Sequence, residues 1–244
     1  MRWQHPERGL LAPDTFIGLA EQTGLIVPLG HWVLTESCRQ VAAWHRDVPG
    51  AEQLRVSVNL SPRQFLHKAL VADVAGALRD SGIDPGRVVL EITESLLMQD
   101  TDATISTLHE LRALGVHIAI DDFGTGYSSL SYLRRFPIDI LKIDKAFIDG
   151  IATDPDDATL AEAVVQLGRA LRLQTVAEGI ENIDQHSLLS ALGCTYGQGY
   201  LFARPAGPAQ IEALLHQSRD TGGPDDEPAE WWSTPEAVSP APLA

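Results

Sequence analysis

The 244 residues carry 33 acidic against 18 basic side chains, a net charge of −15 with histidine neutral, and 44% of them are hydrophobic. So acidic a chain repels polyanions, which excludes a groove-reading binder of long nucleic acid, while its apolar content suffices for one sizeable core. No apolar run reaches the roughly 18 residues of a membrane span, and the polar opening Met1 to Arg8 lacks the apolar stretch of a secretory signal, so a soluble cytosolic protein is expected.

Along the chain, short aliphatic runs alternate with helical patterns. A helix is predicted over 29–46, with Leu34, Cys38, Val41 and Trp44 on one face, followed by a strand over 54–59. A helix over 70–79 stops at Ser81-Gly82, a strand occupies 88–92, and a helix over 102–114 stops at Gly115. Strands follow at 116–120 and 138–143, then a helix over 158–171, a strand at 175–177, a helix over 185–192 and a last strand at 199–202. Nearly continuous apolar runs of this kind are what strands buried on both faces of a parallel sheet require. The alternation predicts an α/β fold.

Six strands allow an open doubly wound sheet, whose phosphate loop would follow the first strand. Here the polar residues gather instead at the C-terminal ends of five or six different strands. That distribution suits a (β/α)8 barrel of the TIM type, with its first two strands missing from the front. Residues 1–217 form the expected domain, and 218–244, rich in Pro, acidic residues, Ser and Ala, the expected disordered acidic tail, with Trp231-Trp232 its one apolar spot. Cys38 and Cys194 are expected as free structural thiols, and scattered histidines give no zinc site.

Several side chains stand out against the apolar runs that hold them. Asn59 closes Val56-Ser57-Val58-Asn59, where a turn or cap is the plain alternative. Glu91 lies inside Val88 to Thr93, and a buried carboxylate needs a partner or a metal, an arginine ion pair being the competing explanation. Asp121-Asp122 leave the apolar run 116–120 together, and two adjacent carboxylates repel unless a cation lies beside them; a hard divalent ion is the natural one. Asp122-Phe123-Gly124 matches the kinase magnesium motif, but no kinase catalytic loop or partner lysine accompanies it, and a kinase is rejected.

Strand alternation puts Lys142, Asp144 and Ile140 on one face, so Lys142 either pairs with Asp144 or orients a metal-bound hydroxide. Glu178 ends Thr175-Val176-Ala177, and Gln198 opens the last strand pattern. Each has a bland reading alone. Together they set an amide, four carboxylates, a lysine and another amide on successive strands, which is equipment for metal-assisted phosphodiester hydrolysis.

These segments resemble the EAL domain family from Met1 to about Ala213. The resemblance rests on Arg2-Trp3 with His5-Pro6-Glu7-Arg8-Gly9, Val58-Asn59-Leu60-Ser61, Glu91-Ile92-Thr93-Glu94-Ser95, residues 121–130, Leu141-Lys142-Ile143-Asp144, Val176-Ala177-Glu178-Gly179, and Gln198-Gly199-Tyr200-Leu201-Phe202 with Arg204-Pro205. It implies a barrel with an atypical antiparallel strand that hydrolyses cyclic di-GMP to linear pGpG with Mg2+ or Mn2+, two ions being expected. On that basis Asn59, Glu91 and Asp121 are metal ligands, Asp122 serves a second metal, Lys142 holds the attacking water, and Glu178 binds metal or orients that water. Arg2 contacts a substrate phosphate, Gln198 supports the site, and Glu94 anchors the loop 122–130, which in the family couples homodimerisation to activity. The family's Glu-Ala-Leu signature would fall just upstream of Met1, so an N-terminally incomplete domain is expected, and a catalytically dead receptor for cyclic di-GMP or a protein partner is the alternative function.

Overall fold

The computed structural model describes residues 1–97, 101–124 and 133–220. The expected tail lies outside them from 221 onward, while 218–220 still belong to the last helix, Pro208–Asp220. Two short strands, β1 (Trp3–His5) and β2 (Gly9–Leu11), open the chain as an antiparallel hairpin, followed by the helices Ile17–Thr23 and Ile26–Asp47. Then come β3 (Val56–Asn59), β4 (Val88–Thr93), β5 (His117–Phe123), β6 (Ile140–Ile143), β7 (Gln174–Ala177) and β8 (Tyr196–Gly197).

These six form one sheet in chain order, every neighbouring pair parallel. Helices Leu70–Ser81, Thr101–Ala113, Pro155–Leu171 and Ile183–Leu192 lie between successive strands. In a flat sheet β3 and β7 would stand about 19 Å apart, four strand spacings. Yet an Arg55 guanidinium N–H donates to the side-chain oxygen of Gln174 at 3.2 Å, and the Gln174 amide donates to the Tyr196 hydroxyl at 3.3 Å. The sheet is therefore curled into a half-barrel.

The two faces of the curl bury different amounts of apolar surface. Outward-facing Leu90, Ile92, Ile118, Ile120, Leu141 and Ile143 meet Leu34, Cys38, Val74, Leu108, Leu111 and Val165 of the helices in one continuous core. Inward, among the described residues, Val89, Ala119 and Ile140 form a small floor, with Val176 against it. The thick outer core holds the fold, and the thin floor leaves room above it for polar side chains. The expected helix stops hold: Gly82 and Gly115 both sit at positive φ, at 69° and 95°.

One expectation fails. The last strand is Tyr196–Gly197 rather than 199–202, because the chain turns at Gly199, whose carbonyl accepts the Phe202 and Ala203 amides at 3.2 and 3.3 Å. Helices Ile26–Asp47 and Pro155–Leu171 also start three residues earlier than their apolar stripes.

Away from the sheet's C-terminal rim, Asp139 ties three segments together. It accepts the Ile118 amide and an Arg112 guanidinium N–H, both at 2.9 Å, and lies 3.6 Å from His117. Burial alone would raise its pKa, but the contacts to His117, Ile118 and Arg112 outweigh it, and the net shift is downward from 3.8. A carboxylate depressed on folding contributes stability above its unfolded pKa and loses it as the pH falls through the folded one. Asp139→Ala is expected to cost about 2 kcal/mol at neutral pH, with the gap to the unsubstituted protein closing below about pH 4; urea unfolding at both pH values measures it.

Candidate active site

The C-terminal ends of the strands carry the residues singled out above, in strand order. Asn59 ends β3 and is paired in register with Glu91 of β4, while Thr93 of β4 pairs with Asp121 of β5. Lys142 lies on β6, Glu178 follows β7, and Gln198 follows β8, its amide donating to the Ala177 carbonyl at 2.8 Å. The ring of strand ends therefore brings Glu91, Asp121, Lys142 and Glu178 to one place.

Lys142 is its centre. Its ammonium reaches Glu91 Oε2 at 2.8 Å, Asp121 Oδ1 at 2.7 Å and Glu178 Oε1 at 2.5 Å. All three of its donors are thereby used. The lysine side chain is 5% exposed and Glu91 6%, so the pairing takes place out of water. Burial pulls the lysine pKa down, but the charges of Glu91, Glu178 and Asp121 prevail and hold it well above the ordinary value. Of the two readings offered for Lys142, the ion pair with Asp144 does not occur. Asp144 is instead the N-cap of the helix Lys145–Asp149, accepting the Ala146 amide at 2.7 Å, and its other partner is Asp122.

Adjacent strand residues point to opposite faces, so plain pairing would aim Asp121 and Asp122 apart. The β5–β6 register shifts between Ile120 and Phe123, and Asp122 takes φ 53°, the left-handed region that Asp tolerates better than most residues. This bulge re-aims the second carboxylate. Oxygens of Asp121, Asp122 and Glu178 then lie within 4.8 Å of one another. Burial, the Asp121 charge and a hydrogen bond with Asp144 raise the Asp122 pKa, and burial first, then Asp121 and Glu91, raises that of Glu178 against the pull of Lys142.

Four carboxylates (Glu91, Asp121, Asp122 and Glu178) thus face one ammonium, an excess of three negative charges. Opposite oxygens around a Mg2+ ion stand about 4.2 Å apart. A 4.8 Å cluster reaches that spacing with small side-chain rotations, and its donors are the hard oxygens such an ion takes. The residues fit a divalent cation.

The remaining expected residues divide. Glu94 is buried and accepts the Gly124 amide at 3.0 Å, holding the start of the segment 122–130, of which 125–130 lie outside the described residues. Gly124 has φ 103°, and a Cβ there would stand 2.9 Å from the Phe147 ring, so both backbone and packing demand glycine. Asn59 and Gln198 are exposed on the rim, and Arg2 makes its one side-chain hydrogen bond among the described residues to the Met1 carbonyl, not to the carboxylate cluster. A strap escaped the sequence reading. Lys145 pairs with Asp149 and with Glu181 at 2.8 Å, binding the helix after β6 to the loop after β7; the spacing of Glu178 and Glu181 around Gly179 was its only sign.

A curled parallel sheet with acidic strand ends gathered on one lysine defines an α/β barrel-type protein with its chemistry at the C-terminal rim. The EAL domain profile matches residues 1–205. The chain belongs to the EAL domain family. It is 49% identical over 215 residues to the bifunctional diguanylate cyclase/cyclic di-GMP phosphodiesterase MucR of Pseudomonas aeruginosa, covering 88% of this chain and 31% of that protein. Cyclic di-GMP phosphodiesterase PdeR of Escherichia coli is 42% identical over 205 residues, 84% of this chain and 31% of its own. The chain thus spans under a third of these relatives' length. The PaMucR phosphodiesterase in its c-di-GMP complex superposes with a TM-score of 0.82 at 49% identity, over 86% of this chain and 84% of that one. The EAL enzyme Bd1971 bound to cAMP and cyclic di-GMP also gives 0.82, at 33% identity, over 88% and 58%.

Proposed function

We propose that the rim is a metal-dependent phosphodiesterase centre that opens cyclic di-GMP to linear pGpG. The observation that carries the reading is the Lys142-centred array, in which one buried ammonium faces more carboxylates than it can neutralise. Asn59, Glu91 and Asp121 would hold one Mg2+ or Mn2+ ion, Asp122 a second, and Glu178 either. Such ions lower the pKa of bound water and neutralise charge on a phosphoryl group.

The protein's own part is positional and protonic. Lys142 would donate to the attacking water and fix its direction once bound cations draw carboxylates away from it, and Glu178, whose pKa is raised chiefly by burial, would accept a proton from that water. The water oxygen bonds to phosphorus as the bond to the ribose 3′ oxygen breaks, and that oxygen leaves as an alcohol after protonation. Arg2 would contact a substrate phosphate and Gln198 would support the site. A homodimer through 122–130 and a cytosolic setting belong to the same reading. It is supported by Glu94 fixing Gly124 at the start of that segment, and by the described residues containing no helix long and apolar enough to cross a membrane.

The test is turnover of cyclic di-GMP with Mg2+ or Mn2+ and with EDTA, read by separating product pGpG, beside equilibrium binding of the same nucleotide. Hydrolysis with either metal and none with EDTA is the expected result. Tight binding without turnover in any metal would replace this reading with the receptor one.

A further inference from the structure

Glu178 is the first residue beyond β7, its amide still donating to the Ile143 carbonyl at 3.1 Å. The next residue, Gly179, takes φ 72°, so the backbone that carries the carboxylate runs on into a conformation that glycine adopts without strain. Glu178 is also the most open of the three carboxylates on Lys142, its side chain 19% exposed against 14% for Asp121 and 6% for Glu91. A carboxylate at a strand end, followed by a glycine, needs support from outside the cluster to keep one direction.

Lys145 supplies it. Its stem lies along Gly179, so close that a Cβ built there would stand 2.4 Å from Lys145 Cγ and 2.7 Å from Cδ. The ammonium then reaches Glu181 at 2.8 Å, and one side chain spans the loop from Gly179 to Glu181. Asp149, one turn along the same helix, also accepts from the ammonium and fixes the direction of the stem.

The helix beneath Lys145 is itself held. Asp144 caps it, and its Ile148 carbonyl accepts the side-chain amide of the buried Gln185 at 3.1 Å. The oxygen of that side chain accepts the Glu181 and Asn182 amides at 2.8 and 3.2 Å, so helix and loop are joined a second time. The Phe147 ring of the same helix lies against Gly124, just past Asp122. Lys145 and its two carboxylate partners are about half exposed, and water screens such pairs until they contribute little to stability. What distinguishes Lys145 is its place.

We propose that Lys145 is a positioning residue for Glu178: by covering Gly179 and holding Glu181 it keeps the Glu178 carboxylate turned toward Asp121 and Asp122. The inference rests on the reading of the rim as a cation-dependent phosphodiesterase centre and adds to it a residue outside the carboxylate cluster. Partners that orient the members of a ligand set are worth about 10–100-fold in metal affinity or activity. Misplacing a reacting group by about 1 Å costs a similar factor in rate.

Lys145→Ala and Lys145→Arg are compared with the unsubstituted chain by calorimetric titration with Mn2+ in the absence of nucleotide, by kcat and KM for cyclic di-GMP at saturating Mn2+, and by thermal midpoint. Lys145→Ala is expected to weaken Mn2+ binding about tenfold and to lower kcat about tenfold. Its KM should change less than about twofold, and its midpoint by less than about 4 °C, as loss of an exposed ion pair implies. Lys145→Arg keeps a long stem and a cation and should restore both Mn2+ affinity and kcat. If Lys145→Ala binds Mn2+ as the original does, or if Lys145→Arg loses as much as Lys145→Ala, Lys145 is a surface ion pair and the positioning role is wrong. If the unsubstituted chain binds Mn2+ but turns over no cyclic di-GMP, the phosphodiesterase reading falls alone, and the Mn2+ comparison still decides the role of Lys145. If it binds no Mn2+, both fall together.

Discussion

Lys142→Met is expected to cut turnover by orders of magnitude and to steepen the loss of stability as pH rises. Among the described residues the ammonium is the sole counter-charge that Glu91, Asp121 and Glu178 share within hydrogen-bonding distance. Removing one partner of a buried ion pair leaves the others uncompensated, which costs about 3–5 kcal/mol. Methionine fills similar volume, so the loss is electrostatic and not a cavity. Burial already raises the Glu178 pKa against the pull of Lys142, and in the variant that pull is gone. An acid raised on folding is penalised while ionised, and the penalty is relieved as pH falls through its folded pKa. Lys142→Met should therefore unfold most easily near pH 8 and recover toward pH 5, and added Mn2+ should raise its thermal midpoint more than it raises that of the unsubstituted chain. Loss of the residue that orients the attacking water should cut kcat by about 10²–10⁴-fold. A variant equally stable at both pH values, with activity intact, would make Lys142 a bystander.

The strands were legible because burial on both faces writes itself as a nearly continuous aliphatic run, as in Val88 to Leu90 and Ile118 to Ile120. The site was legible for the converse reason, since Glu91 and Lys142 interrupt such runs and a charge there must have company. What the residues could not disclose depends on three dimensions. The bulge that turns Asp121 and Asp122 to the same side needs a shifted register between β5 and β6, and no local residue type announces it. Alternation correctly joined Ile140 and Lys142 but stopped at Ile143, where the strand gives way to the helix that Asp144 caps. The final strand was misplaced because Tyr200, Leu201 and Phe202 carry strand-forming side chains on a backbone that turns. The opening hairpin of Trp3 to Leu11 is too short for periodicity to register, and Trp3 is fixed there by edge-on contacts with His5 and Phe16.

Asn59 and Asp121 are expected to act through a bound cation and not through the fold, so Asn59→Ala and Asp121→Asn should both weaken metal binding with little loss of stability. The Asn59 side chain is exposed and makes no side-chain hydrogen bond among the described residues, although its backbone pairs with Glu91. Asn59→Ala should therefore leave stability within about 0.5 kcal/mol of the original, the usual range for a surface change. Its effect falls on the cation it would help to hold. Asp121 accepts from Lys142 at 2.7 Å and shares the carboxylate triad with Asp122 and Glu178. Asp121→Asn removes a negative charge from an overcrowded group, which relieves repulsion on Asp122 and Glu178 while weakening the hold on Lys142. These terms oppose, so its stability should move by less than about 1 kcal/mol, the scale of one net hydrogen bond. Metal affinity has no such compensation: a neutral amide is a far poorer ligand for a hard cation, and Mn2+ binding should weaken by about 100-fold or more, beyond the 10–100-fold that outer-sphere losses produce. Calorimetric titration with Mn2+ beside chemical unfolding measures both quantities. If Asp121→Asn binds Mn2+ as the original does, the carboxylates are a lysine cage and not a metal site; if Asn59→Ala loses stability instead of metal, its place on the rim is structural.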